Sequence, residues 1–459
     1  MIDVSPTSRH RAVTVTGLVA VALYIGLVLW GVNQGSYGTW SAFIIGPALF
    51  AFIVPMLRRQ AEREADPTLF RLLLAAFGLK MVGSLARYWV AYGLYEGAAD
   101  AQGYHEAGMR VAGELIESPF RIVSYVLQSA GTNFVEAING AVYVVTGPAL
   151  LGSFLIFSTL SFVGMFLFYR AFVLAVPSGR SRTYARLLFF LPSMLFWPSS
   201  VGKEAWLIFA LGLASYGVAR AVVGVKTGIV PGFIMAGAGM ALAVQVRPHI
   251  AALVGISLAA VFLIRRPSRS LGQLAPIFKL ASILLVAVVA AVLVVRMQSF
   301  LEEDSGIDTA AGIQGTVGAV NERTAQGGSQ FSAPNVLSNP AQAPAALVTV
   351  LYRPFVFEAD SFVQLGAAIE GLFLLVLTLV RWRSIWAAIT SMRSSPFIAY
   401  AFTFAGLFII AFSSIGNFGI LTRQRVQLYP FVLVLLAWPL VARRKPRQRG
   451  TAADLEVTR

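Results

Sequence analysis

Apolar residues run along this chain in blocks of roughly 16–24 positions separated by short polar joints, the length an α-helix needs to cross a hydrocarbon layer about 30 Å thick. Twelve such blocks can be placed, at about 13–31, 41–57, 72–94, 146–169, 184–198, 203–222, 229–246, 250–264, 276–295, 362–380, 397–414 and 427–442. The blocks at 184–198, which holds Pro192 and Pro198, and at 250–264 are the shortest, and either could be re-entrant. Losing one of them would invert every later segment. The first block follows Arg9, His10 and Arg11 but has no convincing small-residue cleavage site, so it is read as a retained helix.

Basic residues collect at alternate joints, which fixes a direction for each crossing. Arg58, Arg59, Arg63 and Arg71 fall on one side, and so do Arg170, Arg180, Arg182 and Arg186, then Arg220 and Lys226. Arg265, Arg266 and Arg269, Arg381 and Arg383, and the run from Arg443 to Arg449 follow the same alternation. By this count about 25 of the 36 Lys and Arg lie inside, as the positive-inside rule requires, and both termini are cytoplasmic. Of 21 acidic residues, only Asp3, Glu62, Glu64, Asp66, Asp454 and Glu456 share that side. Long extracytoplasmic loops are expected near 96–143 and 297–361, and residues 443–459 form a basic tail drawn to anionic lipid. Residues 309–344, rich in Gly, Ala, Ser, Gln and Asn, read as a mobile outer lid or linker.

Composition agrees with this pattern. Of 459 residues 57% are hydrophobic and 12% charged, whereas soluble domains carry about 25% charged residues. The expected fold is therefore all-α: one polytopic transmembrane domain over residues 1–442, with about 12 helices. A formal net charge of +15 raises nucleic acid as a partner, but the position of the charge assigns it to topology and the lipid surface instead. With no Cys and three His, disulfides and His-rich metal sites are excluded. No Walker loop, dinucleotide glycine fingerprint or HExxH is present, which argues against ATP-driven transport by this chain alone.

The polar residues left over after topogenic charge is removed are the functional candidates, because an ionisable group near hydrocarbon costs about 2.5–3.5 kcal/mol even on the mild translocon scale. Asp100, Tyr104, His105 and Glu106 follow the third block, and Asp100 and Tyr104, four apart, share a face if a helix begins there. They suit a general base; a helix cap with interfacial aromatics is the plainer account. Pro198, Ser199, Ser200 and Gly202 precede Lys203 and Glu204, so a helix N-terminus and a cation meet there as an anion site, or as a capped turn with a Lys–Glu pair. Arg247, Pro248 and His249 join two blocks too closely for a free loop, and Arg247 is either a phosphate ligand or a snorkelling anchor. Arg423 and Arg425 lie against the positive-inside trend and need another reason for being there. Arg353 with Glu358 and Asp360, leading to Glu370, could be a site or an internal salt-bridge set. Lys80 and Arg87, seven apart, share a face that should look into the protein.

An Asp in an early outer loop followed four residues on by Tyr, on a polytopic scaffold with later outward Lys and Arg, resembles the GT-C glycosyltransferases, although here the acidic loop follows the third span. The stretches Leu191 to Glu204 and Arg247 to His249 also resemble uncharacterised actinobacterial membrane proteins of polysaccharide pathways. The GT-C resemblance implies transfer of a sugar from a polyprenyl-phosphate donor to an extracytoplasmic acceptor, in a bacterial plasma membrane, for cell-envelope polysaccharide or glycolipid synthesis. It carries the catalytic role to Asp100, with Glu106 second, and makes Lys203, Arg247, Arg423 and Arg425 phosphate ligands, with Tyr104, His105, Glu204, His249 and Arg353 around them. A divalent cation is left open. The rival readings are an O-antigen-type polymerase or ligase that holds lipid pyrophosphate with outer arginines, and a transporter or flippase of an anionic lipid or solute.

Overall fold

The computed structural model of the protein describes residues 6–33, 35–97, 100–223, 228–264, 315, 318, 329–336 and 339–440. The block at 276–295, the basic cluster at 265–269 and the tail at 443–459 lie outside these residues, as does most of the 297–328 stretch. Among the described residues the secondary structure is helical, with one isolated bridge between Gln330 and Asn417.

Helix α1 (Pro6–Asn33) leads into α2 (Tyr37–Arg63) and α3 (Pro67–Trp89). The entry to α3 is set locally: Pro67 occupies the first turn and the Asp66 side chain accepts from Thr68 N at 3.0 Å. Five π-helical residues, Val90–Leu94, continue α3. The stretch 96–143, read from sequence as a loop, is instead folded: α4 (Asp100–Glu117), α5 (Ile122–Gln128) and α6 (Gly131–Thr146). Its polar composition hides an amphipathic stripe on α4, in which Ala101, Tyr104, Gly108, Val111, Ala112 and Leu115 are buried. That stripe packs on α6, and the Asn139 amide of α6 donates to the Tyr104 carbonyl at 2.9 Å.

Helix α7 (Leu150–Ala175) is followed by a second departure from expectation. The block at 184–198 is no continuous span but two pieces, α8 (Ser181–Phe190) and α9 (Pro192–Phe196), broken at Leu191, whose φ −66° and ψ 125° are the extended conformation that a following proline imposes. Next come α10 (Lys203–Val223), α11 (Ile229–Val246) and α12 (Pro248–Ile264). Then follow α13 (Ala343–Tyr352), α14 (Phe362–Val380), α15 (Trp382–Thr390), α16 (Pro396–Phe412), α17 (Phe418–Gln424) and α18 (Tyr429–Leu436). The block at 427–442 thus holds a helix of eight residues, well short of a crossing. Among the described residues, six helical segments are long and apolar enough to cross a membrane: α2, α3 with its π-helical end, α7, α10, α11 and α14. Shorter apolar helices are α12, α16 and the second half of α1. The chain is an all-helical protein built for a membrane.

Helix α10 is the axis of the bundle, and small residues let its neighbours come close. A side chain on Gly212 would strike the Gly164 backbone of α7, and one on Gly217 would strike Ala236 of α11. In lipid, where burial of apolar surface does not drive helices together, such close backbone approach is a principal source of association. Trp206 fastens the same helix at its other end, donating from Nε1 to the Leu242 carbonyl at 2.9 Å and packing edge-on against Phe134 of α6. Replacing Gly212 with Val should therefore part α7 from α10 and cost about 1–3 kcal/mol, the usual range for overpacking. The check is a lowered unfolding midpoint in detergent, with Gly78→Val, whose added carbon meets nothing, as control.

Candidate active site

The break between α9 and α10 is made of Trp197, Pro198, Ser199, Ser200, Val201 and Gly202, and is buried at Pro198 through Gly202. Its polar groups are met by neighbours. Ser161 Oγ of α7 donates to the Pro198 carbonyl at 2.5 Å, and Ser158 Oγ lies 3.3 Å from Ser199 Oγ. This seated turn fixes the N-terminus of α10 and therefore Lys203 and Glu204. Asp100 is the first residue of α4, and Tyr104 follows one turn later on the buried face. Arg247 sits at the C-terminus of α11 in an extended conformation before Pro248, which aims its side chain away from the helix axis. Arg423 lies on α17, whose start is capped by Asn417 Oδ1 accepting from Ile420 N at 3.1 Å.

These four elements meet. Asp100, Gly103, Tyr104, Lys203, Glu204, Arg247 and Arg423 line one cavity of about 280 Å³, joined by Thr132 and Glu136 of α6. An adjoining recess is lined by Arg87 and Ala91 from the end of α3 and by the 200–202 turn. The Arg87 guanidinium stacks over Phe196 and Trp197, at 5.1 and 5.0 Å from their ring centres.

Glu204 is the electrostatic hub of the cavity. Its Oε1 lies 3.1 Å from Arg247 Nη2 and 3.2 Å from Arg423 Nε, while Arg423 Nη1 reaches Asp100 Oδ2 at 2.6 Å. Arg247 Nη1 also donates to Gln424, which accepts from Gln427 Nε2 at 2.8 Å. Glu204, with Asp100, holds the Arg423 guanidinium charged, above even its ordinary range. Burial, reinforced by Glu204 and Asp100, raises the Tyr104 phenol, which therefore stays protonated and can only donate or accept a hydrogen bond. The two ends of this relay differ in exposure. The Glu204 and Arg247 side chains are 10% and 9% exposed, whereas that of Asp100 is 66% exposed and open to an incoming group.

Several residues singled out from the sequence do not join the cavity. His105 turns the other way, its Nδ1 2.6 Å from Tyr143 Oη of α6, and burial lowers its pKa. Glu106 accepts from Gln102 on the helix surface. His249 packs near the Phe412 ring. Arg353 forms an ion pair with Glu358, its Nη2 2.5 Å from Oε1, under the stacked rings of Phe331 and Phe418. Arg425, read from sequence as facing outward, is fully buried and donates to the carbonyls of Leu351 and Arg353 at 3.2 and 2.8 Å. Residues 329–336 of the supposed mobile loop are pinned by Phe331 N donating to the Gly416 carbonyl and Phe418 N to that of Ser329. Conversely, Glu136 and Thr132 were missed; only Glu136, a lone acid among apolar residues, carried a signal in the sequence. Among the described residues no group of three or more His, Asp or Glu is placed to hold a metal ion.

Neither a protein-family model, nor a curated protein, nor a solved structure matches this chain.

The differing exposures yield a quantitative expectation. Glu204→Ala leaves Arg247 buried without its carboxylate and should cost about 3–5 kcal/mol of stability. Asp100→Ala removes only a solvent-facing partner and should cost about 0–1 kcal/mol. Unfolding midpoints of the two variants check this; equal losses would overturn the assignment of Glu204 as the hub.

Proposed function

We propose that the protein is a membrane glycosyltransferase of GT-C type, which moves a sugar from a polyprenyl-phosphate donor to an acceptor hydroxyl on the extracytoplasmic side of a bacterial plasma membrane. The observation that carries the proposal is the meeting of Asp100, Tyr104, Lys203, Glu204, Arg247 and Arg423, drawn from four distant parts of the chain, around one cavity. From a cytoplasmic N-terminus, successive crossings by α1, α2 and α3 would put Asp100, and with it this cavity, on the outer face, where the lipid-linked donor and the envelope acceptor are found.

In this reading, the donor phosphate enters beside Lys203 and competes for Arg423. Arg423 then exchanges one anionic partner for another, which releases the Asp100 carboxylate. Asp100 accepts the proton of the acceptor hydroxyl as that oxygen attacks the anomeric carbon. The bond from anomeric carbon to phosphate oxygen breaks, and the polyprenyl phosphate departs with the electron pair. Lys203, Arg247 and Arg423 stabilise the charge that gathers on it, the two arginines held in place beforehand by Glu204, and Arg247 also by Gln424. The protonated Tyr104 phenol is available to orient a sugar hydroxyl.

A second reading, an O-antigen-type polymerase or ligase, draws on the two arginines that share Glu204, an arrangement suited to the two phosphates of a lipid pyrophosphate. The two diverge on mutation. With membranes supplied with polyprenyl-phosphate sugars and assayed for sugar transfer, Asp100→Asn should lower kcat by about 10²–10⁴ with KM little changed. Arg423→Ala should lower it by about 10²–10³. Transfer that survives Asp100→Asn but is lost in Arg423→Ala would favour the second reading. Lipid flipping with no new glycosidic bond would reject both.

A further inference from the structure

A second cavity, of about 530 Å³, opens at the opposite end of α10, between the C-terminal ends of α2, α7 and α10. Tyr216, on its wall, comes twelve residues after Glu204, about 18 Å along the helix, so the two cavities are separate. Three guanidinium groups converge here: Arg63 from α2, Arg170 from α7 and Arg220 from α10. Arg170 and Arg220 both lie against the Tyr216 ring, at 4.6 and 5.9 Å from its centre. Val173 and Leu174 supply an aliphatic wall.

Among the described residues no carboxylate lines this cavity, and the described acids nearby are engaged elsewhere. Glu64 accepts from Gln60 at 2.7 Å and from Tyr169 at 2.9 Å, Glu62 pairs with Arg58, and Asp66 pairs with Arg182. Topogenic arginines need only reach the headgroup layer, and Arg58 and Arg59 are exposed. Arg170 and Arg220 are instead half-buried, and with Arg63 they turn toward a common space. Like charges gathered in a partly desolvated space repel one another unless an anion joins them, and guanidinium groups match phosphate oxygens in pairs.

We propose that this cavity binds a phosphoryl group, carried on the headgroup of an anionic membrane lipid whose acyl chains lie along Val173 and Leu174. Basic pockets between membrane helices are suited to such headgroups. The proposal does not depend on the reaction assigned to the other cavity.

Native mass spectrometry of the delipidated full-length protein in neutral detergent tests it, with phosphatidylglycerol, phosphatidylcholine and inorganic phosphate as probes. Phosphatidylglycerol should occupy one saturable site. Each basic residue near a phosphate contributes about fivefold in affinity, so Arg63→Gln should weaken binding about fivefold and the Arg170→Gln/Arg220→Gln double variant roughly 25-fold. Arg58→Gln/Arg59→Gln should bind as the wild type does. Should the double variant not fold, the exposed Arg63 alone decides. Equal affinity in wild type and Arg63→Gln, or equally tight phosphatidylcholine, overturns the proposal. Saturation by inorganic phosphate with no gain from the lipid retains the phosphoryl site and rejects its lipid source.

Discussion

A helix that breaks inside an apolar bundle frees backbone groups that no water can reach, and each one left unmet costs several kcal/mol. Much of the architecture follows from how this chain meets that requirement between α8 and α10. Lys80 Nζ donates to the Met194 carbonyl at 2.6 Å, and the Glu370 carboxylate accepts from Ser193 N at 2.6 Å. Serines 161 and 199 donate to the carbonyls of Pro198 and Leu195. A lysine from α3 and a glutamate from α14, each buried and each expensive alone, are thereby turned into backbone partners. The short helix they hold sets the depth and direction of the turn that follows, and that turn sets Lys203 and Glu204. Lys80 and Glu370 therefore shape the site without lining it.

The sequence carried the long spans plainly, because twenty apolar residues in a row leave a chain few alternatives in lipid. It carried the break less plainly. Pro192 and Pro198 announce it, but a block defined by hydropathy alone runs straight through both. The helices α4 and α6 were hidden for the opposite reason: their buried faces mix Ala and Gly with Tyr104, Asn139 and Tyr143, so no long apolar run marks them, and the two helices pack on one another.

Within the candidate site, direction was harder to read than position. Tyr104 and His105 are neighbours in sequence, but successive helix positions turn by about 100°, so one enters the cavity and the other meets Tyr143 on α6. Arg423 and Arg425, two apart, diverge in the same way, the first toward Asp100 and the second toward the carbonyls of Leu351 and Arg353. Spacing told which residues could share a face. Which face looked where depended on contacts with elements from 38 to 323 residues away. Pro248 is the exception: it forces Arg247 out of the helix and so made that arginine conspicuous from sequence alone.

The Arg423–Asp100 ion pair joins residues 323 positions apart. A ribosome delivers Asp100, Glu204 and Arg247 long before it delivers α17, so the nascent chain passes through a period in which Glu204 has only part of its final charge neutralisation. The last helices to be synthesised close the circuit, and the pocket reaches its finished electrostatic state only when the carboxyl-terminal portion has been threaded into place. Completion of the pocket is in this way coupled to completion of membrane insertion, so a prematurely terminated chain lacks the guanidinium that bridges Glu204 and Asp100.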